Sequence, residues 1–411
     1  MSERIVISGL GVLSPNGVDK DAFRDGLRAG KSGIRNINHM DCARINSKVA
    51  GYVDDAVVES LVQDKETLEK YDRTTIFALI AAQRAGADAK FDQTDAEGLK
   101  VGLVMGSSVG SIGTIEDLYR DIFAHRKSYL APSEVSKLFM ESPQLVLARY
   151  FQMKALSMVV SNSCDSSMSA ISSARLYLAA GVADLLFVGG VDCPVLPEYM
   201  RMMDALRVLT RDFNDDPATA CRPFDRRRSG MVLAEGCGFL VIERESTAVQ
   251  RNAEIYGEIL GIGQSQCVTS GPEGRSASMA SAMLTAMEDA ELSPEDIQHI
   301  QAHGDSSPEG DLAEAQAIMQ VFGSQTASVP VSSVKSMTGH TMGASGAISM
   351  IAELLAMRNN FMVPTINMDE RDPKIALDVV ANQVRQQPYD TAMVNSFGRD
   401  GGNISVIIRK V

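Results

Sequence analysis

The sequence predicts an α/β protein whose sheets are largely buried under helices. Short apolar stretches, such as residues 101–105 and 185–189, alternate along the chain with helical patterns such as residues 74–87. Strands that are apolar throughout are typical of sheets covered on both faces. One strand–turn–helix unit also occurs twice, which indicates that the 411 residues form two related α/β halves.

The individual elements follow from apolar periodicity, with Gly and Ser marking the turns. In chain order, the pattern predicts a strand at 4–11, a helix containing 23–29, a helix at 74–87, a strand at 101–105, a turn at 106–113, strands at 156–163, 185–189 and 239–243, a second half that begins near 255–263, a helix at 277–290, and strands at 297–302 and 328–333. The segment between Gly106 and Leu156 has the weakest periodic signal. We expect the two halves to be residues 1–250 and 251–411.

Cys164 lies in the segment VVSNSCDSSMSA, where a β-rich run ends in a polar turn and a helix begins. The unpaired N–H groups and the dipole at a helix N-terminus favour a thiolate, and the same N–H groups can hold an oxyanion. This is a suitable position for a nucleophile. An unpaired cysteine is more often an inert buried residue, so the segment by itself leaves both interpretations open.

Two of the five histidines lie at similar transitions. His303 follows an apolar strand and precedes a Gly- and Ser-rich loop, in IQAHGDSSP. His340 lies in VSSVKSMTGHTMGASG, where another strand leads through Gly and Ser into a helix. A single loop histidine is usually a solvated or capping residue. Three reactive residues at three strand-to-helix transitions indicate a shared site.

The internal repeat explains how these residues could meet. Ala170-Ile171-Ser172 recurs as Ala347-Ile348-Ser349, each time after a Ser-rich strand end and within an apolar helix. In that register Ser163 corresponds to His340. Two copies of one unit are expected to pack about a pseudo-twofold axis, which would bring Cys164 and His340 into one pocket.

The motifs around these sites resemble the ordered motif set of the β-ketoacyl-acyl-carrier-protein synthases, most nearly the elongating synthase II type. They are NSCDSSMSA around Cys164, AHGDSSP around His303, KSMTGHTMGASG around His340 and NSFGRDGGN from Asn395. The resemblance covers essentially the whole chain, and the relatives include ketosynthases of type II polyketide pathways. It implies the thiolase fold, a five-layer α-β-α-β-α arrangement of two pseudo-repeated halves.

The resemblance also implies a reaction. An acyl chain would pass from acyl carrier protein to the thiolate of Cys164. Malonyl carrier protein would then lose CO₂ and condense with it, while His303 and His340 donate N–H groups to the enolate oxygen and Lys335 supports them. No metal or other cofactor is required, because the phosphopantetheine arm arrives on the carrier protein. The last cysteine is Cys267, so the C-terminal catalytic cysteine of a degradative thiolase is missing.

The last loop departs from the family pattern. Arg399 replaces a Phe that gates the acyl pocket, and Asp400 follows it. In the resemblance, this loop and Cys164 form the oxyanion site, and any non-proline residue still supplies the backbone N–H. Arg399 has two interpretations: a solvated side chain, or a latch that pairs with Asp400, Asp305 or a carboxylate of a partner subunit.

Further departures lie in the motifs that follow His303 and Lys335. Asp305 replaces a Thr whose hydroxyl could meet the pantetheine arm, and Asp305, Ser307 and Thr269 are the expected pantetheine or substrate contacts. Ser349 replaces the Glu that usually accompanies Lys335. Three acidic residues could supply the missing negative charge: Asp305, Asp400 and Glu353.

Composition excludes several other classes of protein. Hydrophobic residues make up 45% of the chain and charged residues 22%, which is typical of a soluble enzyme with a large core. No apolar run approaches the ~20 residues required to span a bilayer. The net charge of −13 argues against nucleic acid or an anionic membrane as partner. The six cysteines show no metal-ligand spacing, so we expect reduced thiols in a cytoplasmic protein.

The expected partners are acyl carrier protein and a second subunit, in a homodimer or in a heterodimer with a ketosynthase-like chain. Two basic groups could dock the carrier: Arg226–Arg228, or Arg201 with Arg207. The alternative function is that of a chain-length-factor-like subunit, which does not condense and usually lacks the nucleophile that Cys164 provides here. Chain length, primer, and the choice between fatty-acid and polyketide synthesis stay open.

Overall fold

The computed structural model describes residues 3–62, 65–269 and 271–411 of the chain. Eleven of the strands in these residues form one continuous sheet, and the other four form two separate pairs. The strands are β1 Ile5–Leu13, β2 Ile34–Asn36, β3 Val49–Gly51, β4 Val101–Gly106, β5 Ser157–Val160, β6 Leu185–Asp192, β7 Gly236–Arg244, β8 Gly257–Gln266, β9 His299–Gln301, β10 Pro330–Ser332, β11 Phe361–Met362, β12 Asp378–Val379, β13 Arg385–Gln386, β14 Thr391–Phe397 and β15 Gly402–Lys410. Their order in the large sheet is β12-β10-β9-β14-β15-β8-β1-β7-β6-β4-β5.

Helices cover both faces of these strands. They are α1 Lys20–Arg28, α2 Asp55–Leu61, α3 Lys65–Lys70, α4 Arg73–Asp88, α5 Gln93–Gly98, α6 Ile112–Phe123, α7 Pro132–Ser136, α8 Ser142–Tyr150, α9 Ser166–Ala179, α10 Pro197–Ala205, α11 Glu245–Gln250, α12 Pro272–Asp289, α13 Pro308–Phe322, α14 Lys335–Thr338 and α15 Ser345–Arg358. The described chain is therefore of the predicted α/β class.

The large sheet consists of two halves that meet over a short stretch. β1 pairs with β7 along eight residue pairs but with β8 only at Val6–Glu258 and Ile7–Gly257. Helix α4 packs on β1 and β7, whereas α12 packs on β8 and β15. Helices α9 and α15 contact each other and lie between the two halves. The resulting order is helix, sheet, helix, sheet, helix, which is the expected five-layer arrangement.

The composition of α15 explains its place in the middle layer. Every residue from Ser345 to Met357 is buried, and a helix that is apolar or small on all sides is stable only in an interior. Small residues let α9 approach closely: the backbone N–H of Ala347 donates to the hydroxyl of Ser167 at 3.0 Å. A side chain at Gly346 would overlap Met168. The N-termini of the two repeated helices thus meet, as the repeat predicts.

Several element boundaries differ from the sequence expectations. The strand expected at 156–163 ends at Val160, because residues 162–166 turn back on themselves through hydrogen bonds of Asn162 with Ser166. The helix expected at 277–290 begins at Pro272, a residue suited to the first helical turn. The weakly periodic segment after Gly106 contains α6, α7 and α8. The expected boundary between residues 250 and 251 lies at the end of α11, before β8.

A buried histidine–glutamate pair joins β9 to α15. His299 Nδ1 lies 2.8 Å from Glu353 Oε1, and both residues are fully buried. Replacement of Glu353 by Ala leaves a buried nitrogen without its partner, so we expect a loss of about 1–3 kcal/mol in the free energy of unfolding. Urea denaturation measures it, with the exposed Glu288→Ala as the matched control. Equal stability of the two variants would contradict a structural role for the pair.

Candidate active site

Cys164 lies in a tight turn between β5 and α9. The preceding Ser163 has a φ of +50°, a left-handed conformation that few non-glycine residues adopt. Hydrogen bonds hold the turn: Ser166 donates from its hydroxyl to the Ser163 carbonyl at 2.7 Å. The thiol is 5% exposed and borders a cavity. The sequence prediction of a strand–turn–helix position for Cys164 therefore agrees with this geometry.

His340 is the nearest ionisable partner of the thiol. Its Nε2 lies 3.1 Å from Cys164 Sγ. Burial raises the pKa of the Cys164 thiol to about 11, and burial together with the charge of Lys335 lowers the pKa of His340 to about 3. The pair is thus neutral at neutral pH, with the thiol as donor and the imidazole as acceptor. Burial is the largest cause acting on the thiol, and it opposes the thiolate that a helix N-terminus is expected to favour.

His303 lies beside this pair with a defined tautomer. The ring centroids of His303 and His340 are 5.3 Å apart at 84°. His303 Nδ1 accepts the backbone N–H of Phe397 at 3.2 Å, so its proton resides on Nε2. Burial, followed by the charge of Lys335, holds the pKa of His303 well below its usual value. A neutral imidazole therefore presents an N–H group.

The donor set also has the composition of a possible metal site. Single ligand atoms of His303, Asp305 and His340 lie within 4.8 Å of one another. A metal at His303 Nε2 would require the proton on Nδ1, where the Phe397 N–H already points and where Lys335 Nζ lies 3.5 Å away. Ligating histidines instead donate their second N–H to an acceptor. The arrangement consequently suits proton donation better than metal ligation.

The charge partners of Lys335 differ from part of the sequence expectation. Burial lowers the pKa of Lys335, and the negative charges of Asp305 and Glu314 oppose that shift. Of the three proposed acids, only Asp305 is such a partner, since Glu353 pairs with His299 and Asp400 is exposed. Sequence reasoning missed Glu314. Its only signal is an acid on the inward face of the helix after the His303 loop.

Glu314 also fixes the backbone of the His303 loop. Its two carboxylate oxygens accept the N–H groups of His303 and Gly304, each at 2.8 Å. The amide of Asn395 donates to the same carboxylate at 3.3 Å. A buried carboxylate that receives three donors holds His303 in place relative to β14. Glu314 therefore belongs to the support of the site.

The three expected pantetheine contacts, Asp305, Ser307 and Thr269, differ in their position relative to the cavity. Asp305 Oδ1 accepts both the N–H of Ser307, at 2.9 Å, and its hydroxyl. The Ser307 hydroxyl is thus already used within the loop, although Asp305 and Ser307 both line the cavity. Thr269 is exposed and does not line the cavity. Its assignment as a pantetheine contact has no support in this geometry.

The cavity above the thiol has a volume of 640 Å³. Cys164, His303 and His340 line it, together with apolar side chains of α10 such as Met202 and Met203. Arg275 also lines it, and its positive charge contributes to the low pKa of His303. Arg275 could not be selected from the sequence, because it lies in α12, outside the four motifs that resemble the family.

The loop between β14 and β15 covers one side of this cavity. The N–H of Gly398 donates to the carbonyl of Gly402 at 2.6 Å, which closes the loop. A backbone hydrogen bond from Arg399 to the sulfur of Cys164 lowers the pKa of the thiol. The Arg399 side chain is exposed and forms no salt bridge with any described residue. The proposed latch to Asp400 or Asp305 is therefore wrong within this chain.

We expect Arg399→Ala to change the free energy of unfolding by no more than about 0.5 kcal/mol, because a solvated side chain contributes little. Thermal or urea unfolding of the purified protein measures this, with Arg228→Ala as the destabilising comparison. Arg228 is buried and pairs with Asp372 at 2.8 Å. If Arg399→Ala lost as much free energy of unfolding as Arg228→Ala, the result would support the interpretation that Arg399 forms an ion pair.

The two basic groups considered for carrier docking are mostly engaged in the fold. Arg227 pairs with Asp369 at 2.5 Å, and Arg201 pairs with Glu198 at 2.8 Å. Arg207, by contrast, is exposed and lines the mouth of the cavity.

Among the described residues, no helix combines the length and apolar character needed to cross a membrane.

The five layers, the paired halves and the Cys/His/His pocket at their junction define a condensing enzyme of the thiolase fold. Two family models match the chain: β-ketoacyl synthase, N-terminal domain, over residues 2–248, and β-ketoacyl synthase, C-terminal domain, over residues 256–369. The chain therefore belongs to the β-ketoacyl synthase family, whose members are condensing acyltransferases.

Similar proteins of known name agree with this assignment. The chain is 34% identical over 413 residues to a 3-oxoacyl-[acyl-carrier-protein] synthase 2 of Staphylococcus aureus, covering 100% of this chain and 99% of the relative. It is 33% identical over 410 residues to the enzyme of that name from Coxiella burnetii, covering 99% of each.

Solved structures of the same fold extend the comparison. A type II polyketide ketosynthase complex, AntDE:AntF, in which the ketosynthase is bound to its acyl carrier protein, superposes with a TM-score of 0.91 at 28% identity. The ishigamide ketosynthase/chain length factor superposes with a TM-score of 0.92 at 29% identity. Each comparison covers 100% of both chains.

Proposed function

We propose that this protein is a β-ketoacyl-acyl-carrier-protein synthase that loads an acyl chain on Cys164 and condenses it with malonyl carrier protein. The observation that carries the proposal is the 3.1 Å contact between Cys164 Sγ and His340 Nε2 in a buried pocket. A neutral thiol needs a base at the moment of attack, and a neutral imidazole at hydrogen-bond distance is that base.

In the loading step, Cys164 Sγ forms a bond to the acyl carbonyl carbon while its proton passes to His340. The carrier thiolate leaves and takes that proton, so an acyl thioester on Cys164 and a free carrier thiol result. We expect the backbone N–H of Arg399, whose hydrogen bond lowers the pKa of the thiol, to donate to the oxygen of the tetrahedral intermediate. Such a preorganised donor stabilises the negative charge that forms there.

In the condensation step, malonyl thioester loses CO₂, and the electrons of that bond form an enolate. The Nε2–H of His303 is directed into the pocket because Phe397 occupies its Nδ1, and it donates to the enolate oxygen. His340 is the second donor: once the sulfur carries an acyl group instead of a proton, the tautomer with its proton on Nε2 directs that N–H into the pocket. The enolate carbon then attacks the acyl carbonyl, and the Cys164 thiolate leaves and takes up one proton from water, the proton that the condensation consumes overall. The product is a β-ketoacyl thioester on the carrier.

A second subunit is part of the proposal. β5 is the edge strand of the large sheet, with its four residues only partly buried. The neighbouring segment exposes large aromatic side chains: Tyr119, Phe123, Tyr129 and Phe139 are 53–76% exposed. An unpaired edge beside an apolar surface favours association with another chain. We infer a dimer through this face, either with an identical chain or with a ketosynthase-like partner.

The testing experiment is mass spectrometry of the intact protein after incubation with acyl carrier protein charged with an acyl chain, then with malonyl carrier protein. The proposal predicts the mass of one acyl group on the peptide that contains Cys164, and a β-ketoacyl carrier after malonyl addition. Acyl groups on another residue, or no covalent acylation, would refute it.

The second candidate is a chain-length-factor-like subunit that contributes to a partner's pocket without condensing. The charged Arg399 and Asp305 at the cavity favour it, as these replace neutral residues of the family pattern. Size-exclusion chromatography with light scattering separates the candidates when it is combined with loading. A dimer of this chain alone that loads and condenses is the synthase, whereas an inert chain that activates a co-expressed ketosynthase is the subunit.

A further inference from the structure

Asp165, directly after Cys164, carries a carboxyl group that the mechanism above does not use. The residue is 0% exposed. Its Oδ2 accepts the amide of Asn162 at 2.9 Å, whereas its Oδ1 has no hydrogen-bond partner among the described residues. Buried polar atoms are almost always paired. A buried carboxyl with one free oxygen, beside a nucleophile, calls for a physical role.

The carboxyl packs directly against the loop between β14 and β15. A Cβ atom at Gly398 would lie 2.4 Å from Asp165 Oδ1, and one at Gly402 would lie 2.6 Å from Oδ2. Only glycine fits at either position while the carboxyl is there. The loop that these two glycines bound carries Arg399, whose backbone hydrogen bond lowers the pKa of the Cys164 thiol.

We propose that Asp165 is a positioning residue whose buried carboxyl supports the Gly398–Gly402 loop and thereby holds the Arg399 N–H against Cys164. This inference rests on the proposed function, in which that N–H serves the acyl thioester. The uncharged carboxylic acid fits the site, since it adds no charge where one oxygen lacks a donor. The carboxylate is disfavoured there, and its formation weakens the closed loop.

The surrounding charges act in the same direction. Burial, with the negative charge of Asp400 on the loop as a second cause, raises the pKa of Asp165 to about 7. Three other ionisable groups lie on the elements packed around this carboxyl: the Cys164 thiol in the same turn, the exposed Arg399 guanidinium on the loop, and the Cys267 thiol after β8. The backbone N–H of Cys267 donates to the carbonyl of Gly401 and so joins β8 to the loop. Asp400 is therefore the one residue whose neutralisation should favour the carboxylate of Asp165.

The test compares the pH dependence of single-turnover acyl loading in four proteins: wild type, Asp165→Asn, Asp400→Asn and the exposed control Asp212→Asn. Asparagine keeps the shape of the neutral acid. We expect the loading rate of Asp165→Asn relative to wild type to rise through pH 7 and reach about tenfold at pH 8, where about one-tenth of a group with that pKa stays protonated. Asp400→Asn should move the midpoint to lower pH, and Asp212→Asn should leave it unchanged.

A carrier-independent measurement separates this inference from the proposed function. Because the pKa is raised above the unfolded value of ~3.9, the stability of wild type relative to Asp165→Asn should fall between about pH 4 and 7 and stay constant above. Thermal unfolding reports this even if Cys164 is never acylated. A pH-independent stability difference, or parallel loading profiles of wild type and Asp165→Asn, would overturn the positioning role.

Discussion

Replacement of Cys164 by Ala is expected to abolish both covalent acyl loading and β-ketoacyl formation. An enzyme-bound thioester requires a thiol, whereas the other described groups next to the sulfur are the imidazoles of His303 and His340 and the Ser163 hydroxyl at 3.8 Å. Mass spectrometry of the intact protein and of its carrier products measures both steps in one incubation. Rates should fall to the background of the enzyme-free reaction.

The matched controls are cysteines of the interior. Cys193, Cys221 and Cys237 are buried within hydrophobic clusters, and burial raises the pKa of each thiol. None lines the cavity. Their replacement by Ala should leave loading intact and remove packing only. Persistent covalent acylation of Cys164→Ala, or loss of loading in an interior variant, would contradict the assignment of the nucleophile.

Replacement of His303 by Ala is expected to separate the two half-reactions. Acyl transfer to Cys164 should persist, because His340 remains at 3.1 Å from the sulfur. Malonyl decarboxylation should fall at least ~10²-fold, the usual cost of removing one preorganised oxyanion donor. Release of CO₂ and formation of the acyl-enzyme, measured in parallel, decide between the steps.

The control for this prediction is His125→Ala. His125 is exposed on the surface near α6, where it contacts Asp121, and its loss should change neither step. An equal decrease of loading and decarboxylation in His303→Ala would mean that His303 supports the thiol or the fold instead. His303 Nδ1 accepts a hydrogen bond from the Phe397 backbone, so removal of the ring also removes a contact with β14. Circular dichroism of the variant is therefore part of the measurement, because it detects a change in the fold.

The sequence predicted the elements of the framework because their apolar patterns are local. Continuous apolar strands such as β4 and β6 can be stable only between layers, and the helix pattern of α4 is equally clear. The predicted end of β5 and the predicted start of α12 were wrong. A hydrogen bond between Asn162 and the Ser166 side chain sets the first boundary, and Pro272 sets the second. Such short-range competition leaves no periodic signal.

The residues of the site could also be selected from the sequence, since Cys164, His303 and His340 each follow a strand and precede a turn. Their motifs specified a chemistry. The sequence did not specify protonation, because the thiol pKa depends on burial by segments that are distant along the chain. Only the folded chain shows that the thiol and imidazole form a neutral pair.

The tertiary structure alone decided the charges around the pocket. Glu314, two turns into α13, accepts the backbone N–H of His303, whereas Glu353, one of the acids expected near Lys335, pairs with His299. Arg399 turned out to be solvated, and Asp165, which no motif distinguished, lies against two loop glycines. The role of a carboxylate depends on which donors and charges, distant along the chain, the fold brings within a few ångströms of it. The identity of the residue alone does not show these neighbours.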